Sequence, residues 1–327
     1  MSWDRLEQIS RRRFLHDALI VATATQFFPG SQRTLLAEGI PDVDHIRGDG
    51  SSAKVTTLAL RRNLSVLSGV GGNIIVLPGS DGKVLVEAGY ATSQRQVAAA
   101  LNAISSDPPR HLIDTHWHFD HTDGNGWLNA AGATIIAHEN TRKRLAARQE
   151  IPAFHGIFPP SPAGALPTLV FSNERSFSFN GEEILLQHYP PAHSDSDISV
   201  RFAEADVLHT GDTWFNGFYP FIDYHNEGAL DGMLAASARN LSSVDDKTLI
   251  VPGHGPVGDK SNLAEYDEMM RTVREKVAVL KRQGRSVSET VAAKPSEKFD
   301  GKWGGGWIGP NTFVELVYTG VREGAAA

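Results

Sequence analysis

The sequence predicts an α+β fold in which two facing mixed β-sheets carry helices on their outer sides. Three observations lead there. Short apolar runs of strand length, bounded by Gly, Asn, Pro or Asp, recur from residue 54 onward. Segments with helical spacing follow each group of runs. The order strands, helices, strands, helices occurs once in each half of the chain, which gives each half a sheet and an outer helical layer.

The first runs, "VTTLAL", "LSVLSG", "NIIVLPG" and "KVLVEAG", read as a meander of antiparallel strands. "SQRQVAAALNAIS" has its apolar residues at helical spacing. "RHLIDT" is an apolar strand that runs directly into "DTHWHFDHTDGN", residues 114–125. A helix starting near Gly126, a strand "ATIIAH" and a helix "ENTRKRLAARQ" follow. The Pro- and Gly-rich "FHGIFPPSPAGALP" has no period and reads as a long surface loop at the wall of a site. Strands resume with "LVFS", "SFSF", "EEILLQHY", "ISVRF" and "DVLHTG". After them come a helix "LDGMLAASARNLSSV", a strand "TLIVPG" leading into "HG", and helices in "LAEYDEMMRTVREKVAVLKRQGR" and "FVELVYTGVR".

Composition narrows the function classes. At 327 residues and 41% hydrophobic content the chain can bury a sizeable core in one large or two modest domains. Its net charge of -7, without a basic block past the N-terminus, argues against nucleic acid as a partner, because backbone affinity needs clustered Lys and Arg. There is no cysteine, which excludes disulfides, iron–sulfur clusters and thiol nucleophiles. Any transition-metal site must therefore use His, Asp or Glu.

The N-terminal "SRRRFLHDALIVATATQFF" places Ser10, Arg11, Arg12, Phe14 and Leu15 before an apolar run, residues 18–28, that is too short to span a bilayer. It resembles a twin-arginine export signal, with His16 where Lys is usual. The resemblance implies a signal and linker over residues 1–38, cleavage near Ala37, the twin-arginine machinery as a partner and a periplasmic or secreted mature protein. That mature protein has no expected membrane span and begins between Leu36 and Asp49. "HIRGDGSSA" reads as a flexible lead-in to a catalytic domain over residues 50–327, whose helical extension starts near residue 260.

Residues 114–125 hold three His and three Asp. His116, His118, Asp120 and His121 have the spacing His-x-His-x-Asp-His, and such groups suit a borderline-soft divalent cation. Alternate positions of an extended segment would put His116, His118 and Asp120 on one face and leave His121 diverging. Further donors stand where later strands end: His193 in "YPPAHSDSD", Asp212 in "LHTGDTWF" and His254 in "IVPGHGP".

These residues resemble the metallo-β-lactamase superfamily over roughly residues 55–256. The resemblance implies a four-layered αββα sandwich and two zinc ions at one edge. His116, His118 and His193 would hold the first ion, Asp120, His121 and His254 the second, and Asp212 would bridge them. An Asp bridge resembles the glyoxalase II and lactonase branches, and His118, where iron flavo-diiron members carry Glu, points to zinc and hydrolysis. The implied reaction is attack on a small carbonyl substrate (lactone, β-lactam, ester or thioester) by a metal-bridging hydroxide that Asp120 orients. Two alternatives stand beside it: an iron enzyme resembling persulfide dioxygenases, and a metal-stabilised accessory protein without turnover.

Other residues get narrower readings. Asp114 and Thr115 are candidates to hold an imidazole N–H, with a strand-end cap as the alternative for Asp114. His138, His155, His188, His209 and His225 read as satisfied core histidines. Among Trp117, Trp214, Phe215, Phe218 and Tyr219, some line the substrate pocket, and Tyr219 is a candidate hydrogen-bond donor to an oxyanion. "KWGGGWIGPNTF" reads as structure, with Trp303 and Trp307 packed on the main body. The bridging Asp and the absence of a following Lys depart from the commonest zinc β-lactamases, and an acidic chain with aromatic residues around the donors favours a neutral or apolar substrate.

Overall fold

Residues 40–322 are described by the computed structural model. The expected export signal, residues 1–38, lies outside them, and no described helix is long and apolar enough to cross a membrane.

The first sheet has seven strands, β1 (Thr56–Ala59), β2 (Ser65–Ser68), β3 (Ile74–Leu77), β4 (Lys83–Val86), β5 (Pro109–Ile113), β6 (Thr134–His138) and β9 (Leu169–Phe171), side by side in that order. β1 to β4 form the expected antiparallel meander, and β4, β5, β6 and β9 are parallel. The second sheet runs β10 (Glu174–Phe179), β11 (Glu182–His188), β12 (Ile198–Phe202), β13 (Val207–His209) and β14 (Leu249–Val251), with only the last pair parallel. Both sheets are therefore mixed.

Alternation along the strands builds the layers. In β4, Val84 and Val86 face a core shared with Ile184, Leu186, Ile198 and Val200 of the second sheet. Leu85, pointing the other way, packs with Val97 and Leu101 of α2 (Gln94–Ile104) and with Leu128 of α4 (Asn125–Ala130). On the far side, Leu208 and Ile250 meet α6 (Leu230–Ser243), α7 (Lys260–Arg282) and α10 (Pro310–Gly320). The result is an αββα sandwich. Inner strands such as β3 and β4 are buried on both faces, which is why they read as unbroken apolar runs rather than alternating ones.

Three segments depart from expectation. "HIRGDGSSA" is no flexible lead-in: α1 (Val43–Gly50) is capped by Asp42, and Val43 and Ile46 enter the core. The folded domain thus begins before residue 50. The 154–167 loop contains β8 (Gly156–Phe158), which pairs with β7 (Gln149–Ile151) as a small hairpin. Pairing with a neighbour outside the stretch is what its own composition could not reveal. In the C-terminal part, α8 (Val287–Ala292) and α9 (Glu297–Trp303) precede the loop 304–309 that leads into α10.

Candidate metal centre

The His-x-His-x-Asp-His segment leaves the end of β5 and is not extended throughout. A one-turn helix, α3 (Phe119–Thr122), begins after His118. Asp120 and His121 therefore leave the same helical turn together, and the strand alternation that would have grouped Asp120 with His116 and His118 does not apply. His116, His118, His193 and Asp212 offer ligand atoms within 4.8 Å of one another, and so do Asp120, His121 and His254.

Backbone hydrogen bonds bring the later donors in. The turn after β14 lies beside the turn after β13: Gly253 N–H donates to the Gly211 carbonyl at 2.9 Å, and Asn216 N–H to that of His254 at 2.9 Å. Gly253 is required there, since a Cβ would stand 1.8 Å from Asp212 Oδ1. Across the sandwich, Asn73 Nδ2 donates to the carbonyls of Pro252 (3.0 Å) and Gly255 (2.8 Å), pinning the His254 turn. Asp212 then faces both groups, with Oδ2 at 3.5 Å from His193 Nε2 and 3.4 Å from His254 Nε2, and Oδ1 at 3.3 Å from His121 Nε2.

The outer hydrogen bonds fix the tautomers. His193 Nδ1 is 2.9 Å from the Phe221 carbonyl, which can only accept, so Nδ1 carries the proton and Nε2 presents a lone pair. His118 Nε2 is 2.9 Å from Asp223 Oδ2, so its Nδ1 presents the lone pair. These two lone pairs face each other at 2.8 Å. Two lone pairs at that distance repel unless a proton or a metal ion is shared between the two nitrogens.

Glu87 sets two more rings. The Thr115 hydroxyl donates to Glu87 and accepts from His116 Nδ1 at 3.0 Å, while His121 Nδ1 stands 3.2 Å from Glu87 Oε1. His116 Nε2 and Asp212 Oδ1 are left buried and without a hydrogen-bond partner. Buried orphan atoms of this kind are expensive unless something else binds them.

Electrostatics point the same way. Burial works to raise Asp120 and Asp212, but the imidazoles of His121 and His254 outweigh it and hold both carboxyls well below the usual range. Burial likewise opposes protonation of His121, yet Asp212, Asp120 and Glu87 raise it well above the ordinary histidine value. In this structure the two carboxylates are thus balanced by the neighbouring imidazoles, which favour the proton in the place a cation could take. The donor set fits divalent cations that accept imidazole and carboxylate.

Glu87 and Asp223 were not singled out by sequence reasoning. Glu87 left a signal, a charge that ends the apolar run of β4; Asp223, in a loop with no spacing motif, left none. Asp114 does not touch an imidazole: it accepts from Asn125 Nδ2 at 2.9 Å and so supports the start of α4. Asp123 pairs with Arg47 of α1 at 2.6 Å.

The cluster opens into a cavity of about 410 Å³ lined in part by Phe119, Phe154, Phe215, Phe218, Phe221 and Trp307. Trp117 and Trp214 are buried in the core instead. The Tyr219 hydroxyl is committed elsewhere, donating to Asp300 Oδ1 at 2.7 Å, and so is not an oxyanion donor. His209, bonded to the Asn73 carbonyl, is a satisfied core residue, and His138 and His188 stack on each other and bond to carbonyls. His155 and His225 are exposed, contrary to expectation, because each sits in a short surface turn.

The family profile described as "Metallo-beta-lactamase superfamily" matches residues 67–254, a stretch that ends on the last of the seven donors. Over 146 residues the chain is 31% identical to "Hydroxyacylglutathione hydrolase" of Polaromonas sp. strain JS666, covering 44% of this chain and 47% of that protein. It spans about half the length of this and two further curated relatives. Among solved structures, a metallo-beta-lactamase from Pontibacter korlensis aligns with a TM-score of 0.54 and 16% identity over 67% of this chain and 99% of that one. The sec-alkylsulfatase Pisa1 from Pseudomonas sp. aligns with a TM-score of 0.59 and 15% identity, over 83% of this chain and 51% of that one. At these identities the likeness is one of fold.

Proposed function

Because the chain belongs to the metallo-β-lactamase superfamily, we propose that it is an exported zinc-dependent hydrolase of a lactone, β-lactam, ester or thioester. The observation that carries this reading is the convergence of seven His and Asp donors, five of which line one cavity with aromatic walls. His116, His118 and His193 would hold one zinc ion, Asp120, His121 and His254 a second, and Asp212 would bridge them. Bound there, the ions supply a water acidic enough to be a nucleophile near neutral pH and polarise the carbonyl.

The protein's own groups do the rest. Asp120 lines the cavity, with Oδ2 at 3.1 Å from His254 Nε2, and would orient the attacking water. The apolar walls exclude bulk water and so strengthen each charge interaction within. Water adds to the carbonyl carbon, the bond to the leaving oxygen, sulfur or nitrogen breaks, and the proton ends on the leaving group.

The export half of the proposal rests on Ser10, Arg11, Arg12, Phe14 and Leu15. It implies the twin-arginine machinery as a partner and a periplasmic or secreted enzyme. Metal analysis of the purified chain, followed by a screen of lactones, esters, thioesters and β-lactams, tests the activity. About two zinc ions per chain with turnover of one class is the expected result. One tightly held iron, or zinc-loaded protein that leaves every class intact, overturns it. Replacing Arg11 and Arg12 by Lys should leave the full-length chain in the cytoplasm.

A further inference from the structure

We propose that Trp307 is a specificity-determining residue, the outer wall of a subsite that takes the uncharged, apolar arm of the substrate beside the His and Asp cluster. This rests on the carbonyl-hydrolase reading and adds to it the class of molecule the cavity accepts. Three features carry it.

The first is charge. Among the described residues lining the cavity there is no Lys or Arg, and outside the cluster the only side chains with a polar group are Tyr219, whose hydroxyl bonds Asp300, and Trp307, whose indole N–H is a neutral donor. A carboxylate or other anionic tail, including those of glutathione, would be buried there without a partner and beside Asp120 and Asp212. Burying an unpaired charge is prohibitive compared with burying an alkyl or aryl arm.

The second is the position of the indole. Its ring centroid is 6.3 Å from Phe154 and 6.4 Å from His254, so the side chain spans the distance between the aromatic wall and a donor of the cluster. It is 45% exposed, whereas Trp303, a few residues earlier, is buried against Tyr266. A large apolar side chain left half in water at the mouth of an apolar cavity is a surface that a ligand would cover.

The third is the backbone that carries it. Gly305 and Gly306 line the cavity without side chains. A Cβ on Gly306 would stand 2.9 Å from the Phe218 ring, so the loop lies directly on that wall. Ile308, the next residue, is buried in the core and Phe313 N–H donates to the Gly309 carbonyl at 2.9 Å, so the loop holds the Trp307 indole at the cavity mouth.

The test uses the zinc-loaded full-length chain, Trp307→Ala and Trp307→Phe. Substrates are methyl esters of neutral acids from acetate to octanoate, together with monomethyl adipate, which carries a carboxylate at the end of its arm. The wild type should prefer the longer neutral arms and discriminate against adipate. Trp307→Ala should lower kcat/KM a few-fold for acetate and about ten- to a hundred-fold for octanoate, chiefly through KM, and Trp307→Phe should retain most of the preference. An equal loss at every length, no loss, or equal use of the adipate ester overturns the inference. If no ester is cleaved at all, only the ester form of the hydrolase reading fails. The subsite is then judged by binding of the neutral probe N-phenyl-1-naphthylamine: weakening by about ten-fold or more in Trp307→Ala sustains it, and unchanged binding overturns it.

Discussion

Nε2 of His118 lies 2.9 Å from Oδ2 of Asp223, and both side chains are almost fully buried. Asp223 also accepts from Asn226 Nδ2 at 2.7 Å and Asn226 N–H at 3.2 Å, so its carboxylate is held in place before it meets the imidazole. It therefore chooses which nitrogen of His118 is turned inward. Asp223→Ala should weaken zinc binding at the first site by about 10- to 100-fold, the usual cost of losing such a partner. A competitive chelator titration reads this, with thermal melting of the metal-free protein as a control for folding. Zinc affinity within two-fold of the wild type would show that the ring is oriented by other means.

In the proposed hydrolase Asp120 would both help to hold the second ion and orient the attacking water. Asp120→Ala should bring zinc content from about two ions per chain toward one and lower kcat by at least about 10²-fold, because the second ion and the orientation of the water are lost together. Its circular dichroism should remain close to the wild type, because the residue lies on a cavity wall and not in the sheet core. A near-normal rate in this variant would show that the water is oriented by another group.

Arg47 ties α1 to the segment that carries four of the donors. Its guanidinium pairs with both oxygens of Asp123, at 2.6 and 2.8 Å, and lies over the rings of Phe119 and Phe158. Arg47→Ala leaves Asp123 without its partner and should cost about 1–3 kcal/mol in denaturant unfolding. A chain starting at residue 51 should lose at least as much, because Val43 and Ile46 leave the core with the helix. Unchanged midpoints for both would mean that α1 is not part of the working domain.

His138 and His188 stack with their ring centroids 3.6 Å apart. Burial, and for His138 also the neighbouring His188, lowers both below the ordinary histidine value. The unfolded chain then binds more protons than the folded one in the window below about pH 6.5. The stability these rings allow is complete above that pH and is lost as pH falls through their lowered values. Metal-free wild-type protein should therefore have a lower urea midpoint at pH 5 than at pH 7.5, and His188→Asn should narrow the difference. Equal pH dependence in the two proteins would remove the pair as a cause.

The seven clustered donors were legible in the sequence because their chemistry travels with residue type: His, Asp and close spacing, each at the end of an apolar run. The layers were legible too, since alternation and unbroken apolar runs are dictated by which faces of a strand are buried. Pairing between distant segments was not. α1 looked like a polar lead-in because Val43 and Ile46 are too few to show a period, and their partners lie elsewhere in the chain. Asp120 looked like the third residue of a strand face until the turn of α3 sent it out beside His121.

What the sequence determined by itself was the set of atoms able to bind a metal. What only the tertiary structure decided was their direction and surroundings: Glu87 and Asp223 setting the tautomers, Tyr219 spent on Asp300, and Trp307 at the cavity mouth rather than in the core. The physical reason is that a donor atom's identity is covalent. The lone pair it presents depends on a hydrogen bond to a residue as far away as 105 positions in the chain, and that bond exists only once the two sheets have packed.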